Sequence, residues 1–314
     1  MTSATNHSNA TVMKNFDELT YADNFLFGEV MMDEETCKNV LEIILDIEIE
    51  KVVILEKEKQ LDLMPDARGV RLDIYVRDEN HTVYNIEMQM ENKHDTPRRS
   101  RYYQAMLDAK NLPAGAINYN QLANSYVIFI CQFDPIGYGK CCYTFEERCL
   151  EEASLSLGDG AKKIFLNTRG NNRIELSEDL RDFLDYVKAK DPATLQLHSQ
   201  KVKAIDHRVN QLKTDAKVRS KYMTLANWID EKCEEASQAA MAKGRIEGHS
   251  SGLLEGRLGI QIEQIRSKYQ KGYPIEKTVE TLEFDEDLVA TIYELLQKEP
   301  NASDEEIMKR FLER

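Results

Sequence analysis

Between Val70 and Glu91 the chain reads VRLDIYVRDENHTVYNIEMQME, two alternating stretches around a polar turn, Asp78-Glu79-Asn80-His81. A period of two puts successive side chains on opposite faces of a strand, so this stretch predicts a β-hairpin. On its first strand Val70, Leu72, Ile74 and Val76 share one face, and Arg71, Asp73 and Tyr75 share the other. On its second strand Tyr84, Ile86, Met88 and Met90 lie together, opposite Val83, Asn85, Glu87 and Gln89. If Asp78 pairs with Thr82, Asp73 stands directly across from Glu87. Facing like charges destabilise a sheet. A divalent cation would offset them, since Mg²⁺ is held by one or two carboxylates together with waters and phosphates. The same alternation also describes an ordinary amphipathic hairpin with a solvated face, and the spacing alone leaves both open.

The chain has 314 residues, enough for one large or two smaller cores. With 42% hydrophobic and 31% charged residues it reads as a soluble globular protein. No apolar run approaches the roughly 20 residues that cross a bilayer. The opening MTSATNHSNATVMKNF has no apolar signal core. A cytoplasmic protein, without membrane partners, is the expectation. Cys37, Cys131, Cys141, Cys142, Cys149 and Cys233 lack paired zinc-site spacing and read as reduced thiols. A net charge of −14 argues against general affinity for nucleic acid, which rests on Lys and Arg neutralising phosphates. Any contact with DNA must then come from a local basic patch or a cation.

Around the hairpin the elements alternate. A helix capped by Asp33 carries Val40, Leu41, Ile44 and Leu45 at helical spacing, and Lys51–Leu55 is a short strand candidate. After the hairpin, Thr96 and Pro97 open a helix to about Asn111, on which Arg99, Tyr103 and Met106 share a face. Its basic residues, Arg98, Arg99 and Arg101, suit phosphate contacts or ordinary surface pairs equally well. SYVIFICQF at Ser125–Phe133 has the continuous apolar character of a strand buried on both faces. Lys140–Glu146 and Lys163–Asn167 are further strands. Beyond Ser177 only helices are expected. Val202, Ile205, Val209, Leu212 and Ala216 form a coiled-coil-like seam, and Gly244, Gly248, Gly252 and Gly256 mark a weakly helical spacer.

The order of elements and the Asp73…Glu87-x-Gln89 spacing resemble the PD-(D/E)XK nuclease superfamily, and within it the Rpn family of recombination-promoting nucleases and transposases. The likeness spans about residues 21–170, through ADNFLFGEVM, GVRLDIYV, YNIEMQM, RRSRYYQAMLDA, SYVIFICQFDPIGYG and YTFEERC. It implies an α/β fold, a mixed central sheet flanked by helices with an all-α C-terminal region. The corresponding divisions are a disordered 1–19, a nuclease-like domain at 20–175, a helical extension at 176–243, a glycine-punctuated spacer at 244–259 and a small helical region at 260–314.

The resemblance also implies roles. Asp73 and Glu87, with the carbonyl of Met88, would hold Mg²⁺, or Mn²⁺ as its substitute. Gln89 stands where many superfamily nucleases have lysine and would orient the attacking water. Arg98, Arg99, Arg101 and Tyr103 would contact DNA. The literal Pro65-Asp66 pair sits in a turn, so Asp73, with its strand position, is the preferred acid. In the family pattern an acid is often found where this chain has Asn24, and a basic residue where it has Glu29. Asp23 and Glu29 are therefore the candidates for an assisting acid on the first helix. Two functions are consistent with these residues: a Mg²⁺-dependent DNA endonuclease, self-associating through its C-terminal helices, or a nuclease-fold protein that binds DNA or oligomerises without cutting.

Overall fold

The computed structural model describes residues 14–61, 69–112, 115 and 117–313. The Pro65-Asp66 pair, Pro113 and most of the N-terminal stretch expected to be disordered lie outside them. Helices α1 (Asn24–Met31) and α2 (Glu34–Leu45) precede strands β1 (Val52–Leu61), β2 (Val70–Asp78) and β3 (Val83–Gln89). Helix α3 (Thr96–Asn111) follows, then β4 (Ser125–Cys131), β5 (Cys142–Phe145) and β6 (Ala161–Asn167). The strands form one mixed sheet in the order β1-β2-β3-β4-β6-β5. β2 runs antiparallel to both β1 and β3, β3, β4 and β6 run parallel, and β5 closes the far edge antiparallel to β6. A parallel pair needs a crossover, and α3 supplies it between β3 and β4.

The hairpin turn is held by one buried carboxylate. Asp78 Oδ1 accepts from the backbone N–H groups of Asn80 and Thr82, and Tyr84 Oη donates to Oδ2. These bonds fix Asp78 opposite Thr82 and bring Ile74 into register with Ile86. The pairing expected from sequence is therefore the pairing observed. β2 is ladder-bonded to β3 only over Ile74–Arg77, however, and Val70 and Leu72 pack with Leu61 and Tyr75 rather than with Ile74 and Val76.

Alternation along the strands divides the sheet between two cores. Ile86, Met88, Ile128, Ile130, Ile164 and Leu166 face one side, where α1, α2, α4 (Glu178–Lys188) and α5 (Gln200–Thr214) cover them. Val83, Val127, Phe129 and Phe165 face the other, beneath Met106 and Leu107 of α3. The expected seam on α5 belongs to the first core. Val202, Ile205, Val209 and Leu212 are buried there with Val218 and Tyr222, so α4, α5 and the first turns of the following helix complete the sheet domain rather than extend from it.

The chain divides into two compact units between Asn227 and Trp228. Helix α6 runs without interruption over Ala216–Gln270, and the glycines expected to form a spacer at 244–259 lie inside it. In the second unit α7 (Ile275–Leu282), α8 (Glu286–Lys298) and α9 (Asp304–Leu312) enclose a small core with Ile262 and Ile265 of α6. Asp285 caps α8 through the Leu288 N–H, and Ser303 with Glu306 forms the capping box of α9. Among the described residues no helix is long and apolar enough to cross a membrane.

Candidate active site

Asp73 and Glu87 face each other where the β2–β3 ladder gives way. The Asp73 N–H donates to Glu87 Oε1 at 3.0 Å, and the Met88 N–H donates to Asp73 Oδ2 at 3.2 Å. Each carboxylate is thus held by the backbone of the opposite strand. Glu87 is 2% exposed. Burial pushes its carboxyl well above the ordinary carboxylate range, and the facing Asp73 pushes it further. The Asp73 N–H, the Asn85 amide and the Arg99 guanidinium pull the other way. Asp73 is raised for the same first reason, with the Met88 N–H, Arg71 and Arg99 opposing. Two buried like charges without a compensating cation are a local destabilisation.

Arg99, one turn into α3, spans the pair's C-terminal side. Its guanidinium lies 5.1 Å from the Phe129 ring centroid and 6.0 Å from that of Tyr103, and Tyr103 stacks on Phe129. So fixed, Arg99 Nη2 donates to Gln89 Oε1 at 2.6 Å. Arginine has donors only, so the oxygen of the Gln89 amide must face it. The NH₂ of Gln89 is the end left for other partners. α3 begins one residue differently from expectation: Asp95 is its N-cap, and Thr96 is the first helical residue, with Pro97 in the first turn.

These groups line a cleft of about 890 Å³ whose walls include Asn24, Arg71, Asp73, Glu87, Gln89, Lys93, Arg98, Arg99 and Tyr103. Arg71, Lys93 and Arg98 bring basic charge to its lining in an acidic chain, alongside the carboxylates of Glu91 and Asp95. Arg101 is exposed and outside the cleft lining. Neither first-helix acid reaches the cleft. Asp23 Oδ2 accepts from Thr20, with its other oxygen 2.7 Å from Lys14 Nζ, and Glu29 is paired with Lys57 and Lys221. Asn24 lines the cleft in their place.

Among the described residues no group of three or more His, Cys, Asp or Glu could hold a metal ion. Two inward carboxylates beside an open cleft that arginines also line nevertheless suit Mg²⁺, which keeps several waters and takes its remaining ligands from a phosphate substrate. One buried group at the site was not singled out from the sequence. Asn85 is 0% exposed, and neither amide atom has a hydrogen-bond partner. Its place on the Glu87 face was legible from strand parity, but its isolation was not.

Comparison with known proteins locates the same region. A family model described as PD-(D/E)XK nuclease family transposase matches residues 20–223, which takes in the whole cleft. No curated protein and no solved structure gives a significant match.

Proposed function

The chain belongs to the PD-(D/E)XK nuclease family transposases, and from that premise we propose that it is a Mg²⁺-dependent DNA endonuclease hydrolysing phosphodiester bonds. One observation carries this reading: two carboxylates are held face to face, at a cost to the metal-free fold, in a cleft that Arg71, Lys93, Arg98 and Arg99 also line. Asp73 and Glu87, with the Met88 carbonyl, would hold Mg²⁺ or Mn²⁺. The cation, when bound, supplies Lewis-acid charge beside the scissile phosphate and lowers the pKa of the attacking water. Arg71, Lys93 and Arg98 place the DNA backbone, since phosphate contacts set register without reading sequence. Gln89 contributes as a donor. With its oxygen occupied by Arg99, its NH₂ is directed to a phosphate oxygen on which charge develops. This differs from the water-orienting role the family pattern implies for it. A binding-only role finds support in Asn24, which leaves α1 without an acid in the cleft, where among the described residues no three His, Cys, Asp or Glu converge to hold a metal ion.

Nicking of supercoiled plasmid by the full chain separates these readings. Activity with Mg²⁺ or Mn²⁺ that vanishes in EDTA and in Asp73→Ala supports the endonuclease. Activity surviving both changes contradicts the assignment of Asp73, and no nicking by wild type under any condition favours binding alone. Such an enzyme fits the breakage step of recombination or mobile-element movement.

Self-association is assigned to α6. An added Cβ at Gly244, Gly248, Gly252 or Gly256 would meet no atom within 4 Å, and Met241, Leu253 and Leu254 are exposed on the same stretch. A cut near residue 200 would strip Val202 to Tyr222 from the sheet domain's core, so the informative truncation ends at Asn227. Light scattering is expected to give a multiple of the chain mass for the full protein and the monomer mass for the truncated one. Equal oligomeric states would remove α6 from this role.

A further inference from the structure

Asn85 lies two residues before Glu87 on β3, on the same face, in register with Tyr75 on one side and Val127 on the other. Side chains two apart on one strand are neighbours along a face. The surroundings of Asn85 are Tyr75, Val83 and Val127 below α3, an apolar setting that suits Val or Leu. A buried amide with no partner is destabilising, whereas an apolar group of the same shape is neutral or better. The polar group that the amide influences is the Glu87 carboxyl, whose ionised form it favours as a hydrogen-bond donor, although its atoms fall short of full hydrogen-bond geometry. Glu87 Oε1 already accepts from the Asp73 N–H.

We infer that Asn85 is a positioning residue for the cation site, its NH₂ donating to Glu87 when that carboxylate turns to bind a divalent cation. This rests on the endonuclease reading of the Asp73–Glu87 pair. It explains why an amide without a full hydrogen bond sits in an apolar layer: the partner that the role assigns to it is the Glu87 carboxylate. Residues that orient metal ligands typically change affinity 10- to 100-fold when lost.

Calorimetric titration of Mn²⁺ into the full chain tests it, alongside thermal melting in EDTA. Asn85→Leu is expected to bind Mn²⁺ about 10- to 100-fold more weakly than wild type, yet to melt in EDTA no lower than wild type. A merely structural asparagine would give the opposite pattern, a lower melting temperature with unchanged affinity. If Asn85→Leu does not fold, the pair Asn85→Ala and Asn85→Ser carries the test, because only the serine keeps a donor and only it should retain part of the affinity. Equal Mn²⁺ affinity in wild type, Asn85→Leu and Asn85→Ala overturns the role of Asn85 alone. A wild type that binds no Mn²⁺ overturns the cation site, and this inference with it.

Discussion

Glu87→Gln is expected to raise the melting temperature of the metal-free protein by about 4–8 °C at pH 8, although it removes a group that the proposed chemistry requires. The amide keeps an oxygen to accept the Asp73 N–H, so the change deletes charge and little else. Relieving a buried, facing carboxylate pair is worth on the order of 2 kcal/mol, and each kcal/mol moves the melting temperature of a domain this size by about 2–4 °C. The pH dependence follows from the raised carboxyls. At pH values between the unfolded and folded pKa, the folded chain binds more protons than the unfolded one, so stability falls as pH rises. In EDTA the wild type should therefore lose stability from about pH 4.5 into the neutral and alkaline range. Asp73→Asn and Glu87→Gln should lose less over the same range. Melting curves from pH 5 to 9 check this, and a wild type that gains stability as pH rises would contradict the electrostatics described for the pair.

The second large effect concerns Arg99 and Gln89. Arg99 is held over Phe129, and its guanidinium holds the Gln89 oxygen. Removing a donor aimed at developing charge costs about 10²–10³ in rate. Gln89→Ala and Arg99→Ala are each expected to fall in that range at saturating DNA. Because the two act as a unit, the double variant should be little worse than either alone. Gln89→Lys, which introduces the lysine common in the superfamily, should lose activity as Gln89→Ala does while Arg99 is present, since an ammonium would meet the guanidinium. Single-turnover cleavage across this cycle is the measurement. Fully additive losses would show that Arg99 does not act through Gln89.

How much of this was written in the sequence depends on what stabilises each element. The hairpin, α3 and β4 were legible because apolar periodicity organises them, and the register that sets Asp73 across from Glu87 followed from a turn fixed by Asp78. β1 extends to Leu61, well past the expected Leu55, through Glu56-Lys57-Glu58-Lys59. No apolar pattern marks those residues. Their partners are distant in sequence: Lys57 pairs with Glu29, and Lys59 sits 3.5 Å from the Tyr75 ring centroid. The same pairing takes Glu29 away from the cleft. The seam on α5 carried the right spacing, but periodicity does not name the surface it buries against. Here that surface is the core with α1, α2 and α4. The glycines at 244–256 did not break α6. The interplay of Arg99 with Gln89 and the isolation of Asn85 are three-dimensional facts with no local signature.

Catalysis by the Asp73–Glu87 pair is the central claim, and nicking by Glu87→Gln tests it most directly, because loss of activity cannot be ascribed to loss of fold in a variant that melts higher than wild type. With Mg²⁺ and supercoiled DNA, the wild type is expected to nick and to stop in EDTA, and Glu87→Gln to nick about 10³-fold more slowly or not at all. Wild-type rates in Glu87→Gln would contradict the account.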